Sequence, residues 1–514
     1  MPSRYIRWAF WLFVALTAHA CAQTSHIEAA TKLLSNRDTA GAEAEARKAL
    51  QIPSTRALAL AMLGTIRLQQ GNTDESIKFL TQALALNSKL VGARTNLGNA
   101  YAFSNQPDLA AKCFRGVLRL DPGNLNARFD LFKLEASRHN FQQSLDLAAP
   151  ILPQLLASDE GVSVLASDYG ALGKKKELSD LAARWQKLAD PSDESALDFA
   201  STLLVYGMQP EATAVLENQE KRLQSHPQPD IALKFGNAFL ALGLLDHAEN
   251  DTQLALSQKA DCAACYQLLA QVAERQSNTE KALFYLVKAK QLAPQDPEVL
   301  FEFGRVCLER NLLNDAMPAL SKAVELRPDN DSYIYALGSA NVGKEQLPQA
   351  MQLFQQLLQK HPREPQLMYA VGAVYYLQNK FGEAETFLKQ SLAAQPDQVN
   401  AAYYLALTYD AVGDDDRAIP IFETLLKNNP QHAPSYVKLG GILVRQHQYE
   451  RAQHDLEEAI SLDPSSIEAH YQLGVVLHRL GKSAESETQF AESRRLDTER
   501  IAQKDLHLHL LLPD

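Results

Sequence analysis

Cysteine, methionine and tryptophan are scarce in this chain, at five, six and three of 514 residues. No second cysteine pair stands at zinc-ligand spacing from Cys262 and Cys265, so a metal site is not expected there. Positive charge is also short: 50 Lys and Arg against 61 Asp and Glu leave a net charge of −11. The one basic run, Lys174–Lys176, is too brief for a nucleic-acid footprint, so no nucleic-acid partner is expected. Catalytic signatures are missing as well. The chain has no Gly-x-Gly-x-x-Gly, no His-Glu-x-x-His and no Gly-x-Ser-x-Gly. Gly481-Lys482-Ser483 lacks the glycine a phosphate loop needs five residues earlier, where Val476 stands. The late histidines His447, His454, His470 and His478 share no local face. No catalytic residue, cofactor or metal is therefore expected.

Long apolar runs are confined to the start. Arg4 and Arg7 lead an apolar stretch from Trp8 to Ala18, and no acidic residue precedes Glu28. Small residues then permit cleavage after Ala20 or Ala22. This is the pattern of a secretory signal peptide over 1–22, too short for a comfortable span. Export to a periplasmic or extracellular location follows as an expectation, with no membrane span in the mature chain. Ala18 and His19 fit a lipidation motif poorly, so a lipid anchor at Cys21 is the lesser alternative.

What the chain has in abundance is repetition. Stepping 34 residues at a time from Gly236 meets Ala270, Gly304, Gly338, Gly372, Ala406, Gly440 and Gly474. Twelve residues after the first seven of these eight stand Ala248, Ala282, Ala316, Ala350, Ala384, Ala418 and Ala452. Prolines recur in the same phase at Pro294, Pro328, Pro362, Pro396, Pro430 and Pro464. A fixed period of this size marks a repeat array. Each unit holds two apolar-periodic segments of helix length. In 297–329 they run from about Glu298 to Arg310 and from about Leu313 to Glu325. Small residues such as Gly304 and Ala316 let the paired helices approach, and Pro328 stops the second helix. One pair cannot bury its apolar faces alone, so neighbouring units stack.

The phase extends backwards to Gly98 with Ala110 and Pro122, to Gly64, and to Ala30 with Ala42. The middle is weaker: Phe132 replaces a small residue, Pro150 and Pro153 interrupt a unit, and around Gly170 and Ala182 the phase has slipped. The expected organisation is a signal peptide (1–22), N-terminal repeats (23–158), irregular repeats with a candidate kink (159–228), a regular array (229–500) and a terminal cap or tail (501–514). In the last unit Ser486, Ser493 and Thr498 replace the usual alanines and proline, as expected of a terminal face meeting water. The tail, with its Leu506–Leu510 alternation, fits either a helix or an extended segment.

These residues resemble the tetratricopeptide repeat family: small at position 8, alanine at 20, small at 27, proline at 32, with an aromatic at 11 in Tyr101, Phe239, Tyr375 and Tyr409. The resemblance implies an all-α solenoid, a right-handed superhelix of about 14 helix-turn-helix units that binds proteins or peptides in a concave groove. It places positions 2, 5, 9, 12 and 13 of each first helix on that groove. Carried over, position 5 gives Phe301, Tyr335, Tyr369, Tyr403 and Tyr471, interrupted by Val437; position 12 adds Tyr376 and position 6 adds Tyr404. An aromatic ladder suits an extended peptide or partner helix. Arg305, Arg445 and Arg479 are candidate receivers of a partner's carboxylates. The carboxylate clamp of the family is missing, because Asn96, Asn99 and Asn237 lack accompanying basic residues. The asparagine ladder of glycosyltransferase-associated arrays is missing too, with Glu302, Ala336, Ala370, Tyr404 and Lys438 in its place.

Cys262 and Cys265 lie at the entry to a first helix, where an exported protein would carry a local disulfide or an inert pair. Cys113 and Cys307 fall on apolar helical faces as small core residues. The leading expectation is a non-enzymatic interaction scaffold serving envelope assembly, secretion or polymer export. The alternatives are a redox protein using Cys262 and Cys265, and a non-catalytic subunit of an enzyme complex. Oligomeric state is left open by the sequence.

Overall fold

The computed structural model describes residues 25–188 and 191–510. The expected signal segment 1–22, with Cys21, lies outside the described residues, as do the last four residues of the tail. Among the described residues every regular element is helical and no strand occurs. Two compact units are present, one through Ala260 and one from Asp261.

The first unit holds seven helical pairs: Ser25–Ser35 with Thr39–Leu50, Arg56–Gln69 with Thr73–Leu86, Val91–Phe103 with Pro107–Leu120, Leu125–Ser137 with Phe141–Ala148, Asp159–Ala171 with Lys175–Leu188, Asp193–Val205 with Gln209–Ser225, and Pro229–Leu242 with Leu245–Gln258. The second holds seven more: Ala263–Arg275 with Thr279–Leu292, Pro297–Glu309 with Leu313–Leu326, Asp331–Gly343 with Leu347–Lys360, Pro365–Leu377 with Phe381–Ala394, Val399–Ala411 with Asp415–Asn428, Ala433–Arg445 with Tyr449–Leu462, and Ile467–Arg479 with Ser483–Leu510. The fold is an α-solenoid of helical hairpins.

One turn closes every hairpin. A single left-handed residue follows each first helix, as at Asn311 with φ 58° or Gly413 with φ 75°. The next amide then reaches back five residues; Leu312 N–H donates to Cys307 O at 2.8 Å and Asp414 N–H to Tyr409 O at 2.9 Å. This satisfies carbonyls that the helix end would otherwise leave bare. Several second helices then start on a side-chain cap, for example Asn278 accepting from Lys281 N–H at 3.0 Å.

Packing explains the small positions. A Cβ on Gly304 would stand 2.5 Å from Leu320, on Gly338 2.6 Å from Phe354, and on Gly440 2.8 Å from Leu456, in each case a residue sixteen further on in the second helix. The large side chain of the second helix thus fills the space that glycine leaves. Alanines Ala282, Ala316, Ala350, Ala384, Ala418 and Ala452 are fully buried.

The left-handed residues also locate the slip in phase. They stand 34 apart from Arg37 through Asn105, His139 and Gly173 to Gly207, then 36 apart to Gly243. The irregular stretch therefore holds the same phase as the repeats before it. Ala166 and Ala200, both buried, occupy the small position, not Gly170. Gly170 instead backs onto the ring of Tyr206, with 2.1 Å between a Cβ placed there and that ring. The two extra residues enter through Gln209–Ser225, a helix of 17 residues where the regular ones have 14. Pro150 and Pro153 accompany a 3-10 turn, Ala149–Ile151, and a short helix, Leu152–Leu156.

One reading of the C-terminal repeat is corrected and one open alternative is decided. Ser486 and Ser493 do not face water: both are buried, and their hydroxyls donate to Gly474 O (2.7 Å) and Ile467 O (3.2 Å). Serine replaces alanine there because a carbonyl lies within reach of the added oxygen. The tail is helical through Leu510, continuing the helix that starts at Ser483, so the extended alternative is excluded for 501–510.

Candidate functional site

The aromatic residues projected onto the groove fall in the second unit, and the structure divides them into four settings. Tyr369, Tyr376, Tyr403 and Tyr404, from the adjacent first helices Pro365–Leu377 and Val399–Ala411, form one aromatic cluster. Tyr404 lies at its centre. Its ring centroid is 5.8 Å from Tyr369, 5.5 Å from Tyr376 and 5.9 Å from Tyr403, with interplanar angles of 68°, 87° and 89°. Edge-to-face arrangement at these distances is the favoured one for aromatic pairs. Tyr403 also meets Phe422 and His432, which fix its back to the core. All four rings are half-buried.

Tyr335 is held one repeat earlier by Phe354 at 5.3 Å, and its hydroxyl accepts from Gln366 Nε2 at 2.7 Å. Gln366 in turn accepts from Gln398 Nε2 at 2.8 Å, and the Gln398 side chain is hydrogen-bonded by the Ser391 hydroxyl. This amide relay orients Tyr335 through three successive hairpins. Phe301 stacks at 4.7 Å on Tyr333, whose hydroxyl donates to Glu298 at 2.7 Å. Tyr471 packs one edge on Phe490 and is 57% exposed, with no ring contact to the cluster among the described residues.

Burial sets the ionisation of these groups. It pushes the Tyr403 hydroxyl up to about 12 and raises Tyr369, Tyr376, Tyr404 and Tyr335, so all remain protonated donors at ordinary pH. Glu302 is raised by burial too, against the opposing hydrogen bonds from Gln271 (2.8 Å) and Gln267 (3.4 Å).

The arginines are already engaged. Arg305 donates to Glu274 at 2.5 Å and Glu309 at 2.6 Å. Arg445 bonds Asp410 and, at 2.9 Å, Asp415. A partner's carboxylate would have to displace these internal anions, which lowers the value of both arginines as receivers. Arg479 is exposed at the end of its helix.

Sequence reasoning missed Gln366 and Asp410, which lie on this surface, and Tyr333 and Gln398, which are buried and support it from beneath. Gln366 and Asp410 stand at the second and twelfth positions of their repeats, so the same phase that gave the tyrosines would have found them.

Cys262 and Cys265 are joined by a disulfide, with Cα atoms 5.3 Å apart, at the start of Ala263–Arg275. The Cys262 sulfur also accepts the Cys265 N–H at 3.1 Å, as a capping side chain would. Cys265 is buried, so only Cys262 is open to an attacking thiol. Cys113 and Cys307 are free and buried, and burial pushes Cys307 up to about 12. Among the described residues no group of three His, Cys, Asp or Glu side chains could hold a metal ion. None of their helices is long and apolar enough to cross a membrane.

Comparison with known proteins identifies the repeat. Tetratricopeptide repeat profiles match residues 57–90, 91–124 and 263–296, and 342–405 and 375–440; a further TPR repeat profile matches 440–481. The chain is a tetratricopeptide repeat protein, and such a solenoid is a protein-interaction scaffold. It is 33% identical over 102 residues to "Protein O-mannosyl-transferase TMTC1" of Homo sapiens, covering 19% of this chain and 12% of that protein. The chain thus spans about an eighth of the length of the curated relatives it matches. Similar solved structures include the APC/C hetero-tetramer Cut9-Hcn1, at 14% identity and TM-score 0.42, covering 89% of this chain and 96% of that one. Yeast Tom70 is similar at 15% identity and TM-score 0.36, covering 94% and 99%.

Proposed function

We propose that this protein is an exported, non-enzymatic scaffold that holds protein or peptide partners on the groove face of its second unit. One observation carries the reading: four tyrosines from two adjacent repeats meet in a single half-exposed cluster, and their hydroxyls have no hydrogen-bond partner among the described residues. Rigid rings with a polar handle give large contact area at small entropic cost. Envelope assembly, secretion or polymer export is the setting that fits a signal-bearing scaffold. The buried Cys265 favours a structural staple over a redox pair.

Affinity capture from an envelope fraction tests the reading, with the full chain as bait beside a Tyr335→Ala/Tyr369→Ala/Tyr403→Ala variant of equal helicity. A partner held by the first and lost from the second supports it; equal capture by both removes the groove assignment. Amino-terminal sequencing of the exported form tests the location. It should begin at Cys21 or Gln23, and an intact Met1 on a cytoplasmic protein would contradict export.

A further inference from the structure

We infer that the cluster of Tyr369, Tyr376, Tyr403 and Tyr404 receives an uncharged, proline-rich segment in the polyproline II conformation. The inference rests on the groove reading above and names its occupant.

Three features of the surface lead there. The first is shape. Rings crossed at 68°, 87° and 89° around Tyr404 make a ridged surface, not a flat one. A polyproline II chain is itself ridged, turning once every three residues with a rise of about 3.1 Å each, and recurrently docks on aromatic-lined grooves.

The second is hydrogen bonding. The four hydroxyls lack internal partners among the described residues, whereas Tyr333 and Tyr409 donate to Glu298 and Glu385. The cluster therefore offers donors. The nearby carboxylates, Asp410 and Glu468, are already engaged, by Arg445 and by Lys438 and Gln472. A β-strand would bring amide N–H groups that need acceptors, and a helix has already used its carbonyls. Proline brings carbonyls and no N–H. Such a segment satisfies this surface without leaving a donor of its own bare.

The third is charge. Around the cluster Arg445 is held by Asp410 and Asp415, and Lys438 donates to Glu468 at 2.7 Å. The ninth positions of the two repeats are apolar and buried, Ala373 and Leu407. An anionic occupant would have to break an existing pair or sit unpaired beside the electron-rich ring faces; an uncharged one does neither.

Fluorescence anisotropy of labelled decaproline against the full chain provides the test. Saturable binding is expected, with none for a glycine-serine peptide of equal length. Tyr404→Ala should remove it. The combined variant Tyr369→Phe/Tyr376→Phe/Tyr403→Phe keeps the rings and their packing but loses three donors, and should weaken it by about tenfold or more. Equal binding by wild type and the phenylalanine variant would overturn the donor argument. Tyrosine-dependent binding of neutral dextran, or of the glycine-serine peptide, in place of decaproline would overturn the choice of occupant while leaving the groove reading in force. Failure of decaproline together with unchanged partner capture by the triple-alanine bait would bring down both.

Discussion

Gly338 and Phe354 are a matched pair: a Cβ on the glycine would stand 2.6 Å from the ring that fills its place. Sixteen residues also separate Phe132 from Ala148, both buried, where the sizes are exchanged and the first helix carries the large side chain. At these two crossings the large side chain comes from opposite helices. Phe132→Gly should cost about 3–5 kcal/mol by cavity formation. Adding Ala148→Phe should recover much of that by recreating the arrangement of Gly338 and Phe354. Gly338→Ala gains roughly 1 kcal/mol of helix propensity but overpacks the ring, for a net loss of about 1–2 kcal/mol. Urea melts combined with amide exchange on each hairpin would read these effects, and a strictly additive double variant would remove the volume argument.

Alanine at the twelfth residue beyond the small position should tolerate serine and refuse leucine. Ser76, Ser144 and Ser486 already occupy it; the last two donate to Phe132 O (3.0 Å) and Gly474 O (2.7 Å), while the buried Ser76 hydroxyl has no partner among the described residues. Ala350→Ser should therefore stay within about 1 kcal/mol of wild type, its hydroxyl finding Gly338 O. Ala350→Leu should cost about 1–3 kcal/mol or more by overpacking. Thermal melts of the two variants distinguish a polar from a steric limit.

Asp251 should make the first unit less stable as pH rises through neutrality. It is buried, and that burial raises its carboxyl to about 7; Glu220 pushes the same way and His247 opposes. One oxygen, Oδ2, has no partner among the described residues. The nearby Glu220 carboxylate is hydrogen-bonded by His247 at 2.8 Å, and Glu217 stands 3.9 Å from the same ring. The folded state holds the proton more tightly than the unfolded chain, whose aspartates titrate near 3.9. The resulting stability is complete below about 4 and is lost as pH climbs to about 7, by an amount on the order of 3–4 kcal/mol. Asp251→Asn should flatten this dependence and be the more stable protein at pH of about 8. Denaturation midpoints of both proteins across that range check the sign.

Alkylation should sort the cysteines into two classes. Native protein should label at neither pair: Cys262 and Cys265 are in a disulfide, and Cys113 and Cys307 are buried with raised thiols. Denaturant alone should expose Cys113 and Cys307, and reductant should add Cys262 and Cys265. Cys262→Ser with Cys265→Ala should cost about 1 kcal/mol or less, because serine takes over the cap that the Cys262 sulfur supplies. Mass spectrometry after each step reads the pattern. Rapid labelling of Cys262 in the native protein without reductant would show that the disulfide is not formed.

The period of 34 was legible because every unit packs against a copy of itself, so one volume constraint recurs at fixed spacing and leaves glycine and alanine in phase. Hairpin boundaries and the small-residue crossings followed from that phase. The register between residues 159 and 225 did not, because two residues were absorbed in the helix Gln209–Ser225 while Ala166 and Ala200 kept the crossing, a change too quiet to see beside Gly170. Nor could the sequence show that Arg305 and Arg445 are neutralised. Their anions, Glu274 and Asp410, come from the preceding repeat, 31 and 35 residues away. Periodicity determines which side chains share a face. Only the stacking of one repeat on the next decides which of them spend their charge and hydrogen bonds on each other, and so leaves Tyr369, Tyr376, Tyr403 and Tyr404 with hydroxyls to offer.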